Sequence, residues 1–141
     1  MSAETVAALY HSAIYKADGI AFVLTEQPTG VVLFEGRKFA IITAHNPQSE
    51  PLPEKENRQR NKALEQDLMS DSLEYTFSIG ESPDGTWVEE GFAVFDLELE
   101  KALKLGRKYG QHAILWGEGE KVYLAWCDTG KLEWFYPLEV K

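Results

Sequence analysis

Cysteine is almost missing: Cys127 stands alone among 141 residues. A single thiol excludes an internal disulfide framework and a cysteine-rich zinc site, and it makes a reducing, cytoplasmic setting the default expectation. Basic residues are also short, 14 Lys and Arg against 23 Asp and Glu, for a formal charge of -9. A surface of that sign repels phosphate backbones, so nucleic acid is not an expected partner. No stretch approaches the roughly 18 apolar residues of a spanning helix, so no membrane contact is expected. Met1-Ser2-Ala3-Glu4-Thr5-Val6 lacks the basic and apolar regions of a secretory signal. Three histidines lie scattered at 11, 45 and 112, without HxxxH, HxH or DxD spacing. Neither a metal nor a cofactor is therefore expected.

What is present suits one globular domain over residues 1–141, with 44% hydrophobic and 26% charged residues. Residues 3–16 have helical spacing, with Val6, Leu9, Tyr10, Ala13 and Ile14 on one stripe, and Asp18-Gly19 as the stop. Strands are expected at Ile20 to Thr25, at Val31 to Phe34, and in the nearly unbroken apolar run Phe39 to Ala44. A helix follows over 53–69, then strands at Leu73 to Ile79 and Trp87 to Phe95 around the turn Ser82-Pro83-Asp84-Gly85. A further helix covers Leu97 to Tyr109. The last strands are Ala113 to Trp116, Lys121 to Trp126 and Leu132 to Tyr136. The middle reads as the split β-α-β-β-α-β order of ferredoxin-like folds. The expected fold is α+β: a single-layer, mostly antiparallel sheet with helices on one face, a leading helix and a trailing hairpin.

Polar residues break the apolar pattern in three places. On the 53–69 helix, the face of Leu64 and Leu68 continues backwards into Asn61 and Asn57, with Arg60 beside it. An unpaired buried amide costs roughly 1–3 kcal/mol, so both need partners: loop backbone near Ala44 to Gln48, or a ligand. On the 87–95 strand, Glu90 shares a face with Val88, Phe92 and Val94, and Glu89 shares the other with Trp87, Gly91 and Ala93. If the first face is the core, Glu90 points inward and Arg60 is its natural cation. Finally, the 39–44 strand ends abruptly in Thr43-Ala44-His45-Asn46-Pro47, where sites on sheet proteins often sit.

Four segments carry a resemblance, in order and at compatible spacing. They are Ile42 to Pro47, Glu56 to Leu64, Pro83 to Phe92 and Leu105 to Trp116. Over about residues 38–117 the chain resembles a bacterial family of uncharacterised proteins, Domain of Unknown Function 3293. The resemblance implies a compact bacterial domain and brings no activity. It groups the three pattern breaks, with Gln111, into one signature. That family often has an aromatic residue where His45 stands, which speaks against a catalytic histidine there.

No nucleophile–base pair is legible, and Asp128-Thr129-Gly130 fits a hairpin turn better than a protease triplet. Two readings stay open. One is a polar pocket at the end of the 39–44 strand and the start of the 53–69 helix, taking a small ligand with a preference for an anionic group. Thr43, Asn46, Asn57, Arg60, Asn61, Glu89 and Gln111 would bind it, and Glu90 would be the general base of any reaction. The other is a non-catalytic interaction or self-association module, a homodimer among its outcomes. It would use aromatic surface from Tyr123, Trp126, Trp134 and Tyr136, with Asn57, Arg60 and Asn61 as a structural network.

Overall fold

The computed structural model describes residues 3–140. After α1 (Ala3–Ser12) come β1 (Ile14–Ala17), β2 (Ile20–Thr25), β3 (Phe39–Ile42), α2 (Glu54–Ser70), β4 (Tyr75–Glu81) and β5 (Val88–Phe95). Then follow α3 (Leu99–Lys108), β6 (Ala113–Glu118), β7 (Lys121–Trp126) and β8 (Leu132–Glu139). The strands close into an antiparallel barrel in the order β1-β2-β8-β7-β6-β3-β5-β4, with β4 returning to β1.

This overturns the expected α+β architecture, a single-layer sheet with a ferredoxin-like core. The strand that closes the barrel is β1, which falls where the spacing of residues 3–16 predicted helix. Asp18 and Gly19, both at positive φ, are not a helix stop. They form the two-residue hairpin that turns β1 into β2. β1 then pairs with β4 through Tyr15↔Gly80 and Lys16↔Ile79, so no sheet edge is left open there. Val31 to Phe34 is not a strand. It is irregular and places Leu33 and Phe34 in the interior cluster.

Two cores result. Inside the barrel, Tyr15, Phe22, Leu33, Phe34, Phe39, Phe95, Leu115 and Leu124 fill the lumen, as expected for eight strands. Outside it, Leu64 and Leu68 of α2 and Leu103 and Leu105 of α3 pack on Ile42, Val94, Ile114 and Trp116. β3 is buried on both faces, which explains its unbroken apolar run. Gly91 allows the close approach of β3: a Cβ there would lie 2.5 Å from the Ile42 carbonyl oxygen. Among the described residues no helix is long and apolar enough to cross a membrane.

Candidate functional site

The polar face of α2 is spent on one loop. The Ala44 amide donates to Asn61 Oδ1 (2.9 Å), and Asn61 Nδ2 donates to the Glu90 carbonyl (2.7 Å). Arg60 donates from Nε to the Ala44 carbonyl (2.6 Å) and from its terminal nitrogen to the Tyr109 carbonyl. Asn57 accepts from the Asn46 amide (2.9 Å) and donates to Asn46 Oδ1 (2.8 Å), which also accepts from the Leu52 amide (3.0 Å). Gln111 reaches the His45 carbonyl (3.0 Å), and Thr43 Oγ1 donates to the Glu90 carbonyl (2.6 Å). Asn46, Gln48 and Ser49 all hold positive φ. The network therefore fixes a backbone that would not keep this shape unaided.

Thr43, Asn46, Asn57, Arg60, Asn61 and Gln111 are thus brought together, but chiefly around main-chain groups. Arg60 makes no ion pair with Glu89 or Glu90 among the described residues. Among the described residues His45 Nε2 has no hydrogen-bond partner, and burial pushes its pKa below the usual histidine value.

The two glutamates take opposite faces. Glu90 is exposed on the outer surface with Val88, because α2 and α3 cover only the later part of β5, at Phe92 and Val94. Glu89 points to the barrel interior at its mouth. Asn46 Nδ2 donates to its Oε2 (3.2 Å) and the Trp87 side chain hydrogen-bonds it as well. Burial raises its pKa to about 7, against the downward pull of those two bonds. Around it, Tyr10, Tyr15 and Gly80 line two small cavities of about 60 and 50 Å3.

A wider groove lies elsewhere, between α2 and the outer face of β4 and β5, with a volume of about 550 Å3. Lys55, Arg58 and Lys62, at helical spacing, form one wall, with Asn61 and Glu65. Phe77, Ile79 and Phe92 form the other, and Glu90 sits beside Ile79, its cross-strand partner. Phe77 is 70% exposed, unusual for so large a ring. The sequence reading missed this strip of cations, because a charged helix face ordinarily means solvent. The register of β4 that exposes Phe77 and Ile79 was visible only as alternation.

The architecture is therefore a closed antiparallel barrel with three helices, with a groove beneath α2 and a carboxyl group in the barrel mouth. Residues 42–114 match the family described as Protein of unknown function (DUF3293). That is more than half of the chain, which belongs to this family. The match runs from the end of β3 into β6 and so takes in the loop-fastening network, but not the closing strands β1, β2, β7 and β8. No curated protein and no solved structure matches the chain.

Proposed function

We propose that the protein binds a small amphipathic anion in the groove between α2 and the β4–β5 face. The observation that carries this reading is the pairing of Lys55, Arg58 and Lys62 on one wall with Phe77, Ile79 and Phe92 on the other. The lining sets three cations against the two carboxylates Glu65 and Glu90 beside the exposed Phe77 ring, a small excess of positive charge on an acidic chain. The volume lies within the roughly 300–1,000 Å3 of small-molecule sites. Arg58 is held at 3.2 Å by Glu54, which leaves Lys55 and Lys62 as the cations with no ion pair among the described residues. The site adjoins Asn61 and Glu90, but it is lined by the flank of α2 rather than by its N-terminus. Binding rather than reaction is the function proposed, with Glu90 at the rim.

Fluorescence titration with anilinonaphthalene sulfonate, an amphipathic anion, tests it. Saturable binding that weakens with salt and falls at least tenfold in Lys55→Glu/Lys62→Glu is expected. Unchanged binding in that double variant contradicts the reading. A second reading, docking of a protein or of another copy of this chain, draws on the exposed Phe77 and Val88. Light scattering showing a dimer that Phe77→Ser dissolves would favour it instead.

A further inference from the structure

The barrel mouth has a chemistry of its own. The two cavities flanking Glu89 share Tyr10, Tyr15, Gly80 and Glu89 in their walls, and Trp87 adds an indole to the outer one. The hydrogens of three hydroxyl groups there already have acceptors. Tyr10 donates its hydroxyl hydrogen to the Ala113 carbonyl (3.2 Å), and Tyr15 donates to the Tyr10 carbonyl (2.7 Å). Ser82 Oγ donates to Asp84 Oδ1 (2.7 Å). These groups turn lone pairs to the cavity, two phenolic oxygens, a seryl oxygen and the carboxyl group, and the Ser49 and Ser78 hydroxyls in the lining can accept as well as donate. Glu89 has no cation within ion-pair distance among the described residues, although a buried carboxylate ordinarily requires one. Three aromatic rings beside an unpaired acid are the surroundings in which a cation gains from ring faces as well as from charge.

We infer that the barrel mouth binds the ammonium group of a small primary amine. Three N–H donors on one positive nitrogen match a wall rich in acceptors, whereas an anion would meet the Glu89 carboxylate and mostly lone pairs. A cavity of about 60 Å3 holds the charged end and little more, so the rest of the amine extends past Ser49 and Trp87 at the rim. The groups facing Glu89 are Tyr10 on α1, Tyr15 on β1, Asn46 and Trp87 beside it, and Glu81 on β4, which is already paired with Lys16 (2.6 Å). None of them is a cation that would compete.

The test is an NMR titration of the full chain with methylammonium chloride, with tetramethylammonium and sodium chlorides at equal ionic strength as controls. Methylammonium keeps its charge up to about pH 10, as lysine does, so any pH dependence between 5 and 8 reports on the protein. The expected result is saturable shifts at the Trp87 indole and the Gly80 and Glu89 amides. They should tighten at least about tenfold from pH 5 to pH 8, as Glu89 loses its proton. Tetramethylammonium, larger and without donors, gives none. Glu89→Gln abolishes the shifts, and Tyr10→Phe, which keeps the ring and removes one acceptor, weakens binding severalfold. Absence of saturation, equal response to tetramethylammonium, or unchanged binding in both variants would overturn the inference.

Discussion

Glu89 keeps its proton to about pH 7 because burial at the barrel mouth costs the charged form more than Asn46 and Trp87 return to it. A carboxyl group whose folded pKa lies above its unfolded value of 4.5 contributes stability below that value and loses it as pH rises through 7. Glu89→Gln should therefore match the parent protein near pH 4 and exceed it at pH 8. The gain is about 2 kcal/mol once partial exposure is allowed for, read from denaturant midpoints at the two pH values. A difference of the same size at both pH values would show that the carboxyl group is solvated. At the same scale, Asn61→Ala leaves the Ala44 amide and Glu90 carbonyl without their partner. It should cost about 1–3 kcal/mol in chemical unfolding. The sequence already marked Asn57 and Asn61 as amides needing partners. Their spacing from the leucines put them on a buried face. Whether those partners were ligand or backbone was not legible, because side-chain amides satisfy either equally well.

At the scale of elements, α2 serves three neighbours, two along its buried face and one from its flank. Leu64 and Leu68, fully buried, anchor it to the outer core. Asn57, Arg60 and Asn61 fasten the loop after β3, and Lys55, Arg58 and Lys62 wall the groove. Leu64→Ala should lower stability by about 2–5 kcal/mol and loosen all three functions together. Lys62→Glu should leave the thermal midpoint nearly unchanged and affect only ligand binding, as an exposed charge substitution does. A stability loss in Lys62→Glu equal to that of Leu64→Ala would mean that the groove wall is structural. The length and inward face of α2 were readable from leucine spacing. The outward face was not, since its meaning depends on which strand lies opposite.

For the whole molecule, the decisive feature is closure. Most elements downstream of residue 39 could be read from turn residues and alternation, yet the barrel depends on four residues, Ile14 to Ala17. Their period-two burial was hidden because Ala13 and Ile14 also continue the helical stripe of α1. Pairing between β1 and β4 joins residues more than sixty positions apart, and no local pattern reports it. A proline at position 16 is a direct consequence to measure. An edge strand tolerates proline, but a strand bonded on both sides does not. Lys16→Pro should therefore cost about 1–3 kcal/mol through the lost ladder hydrogen bond and deprotect β2 and β4 amides in hydrogen exchange. Unaltered protection would mean that the sheet is open at that seam.

The groove lies on the outer face of this closed barrel, between α2 and strands β4 and β5. An NMR titration with decanoate, a carboxylate with an apolar tail, addresses the proposed function most directly. Saturable shifts confined to Lys55, Arg58, Lys62, Phe77 and Ile79, lost in Lys55→Glu/Lys62→Glu, are predicted. Shifts that centre on other surfaces, or that persist unchanged in that variant, would contradict it.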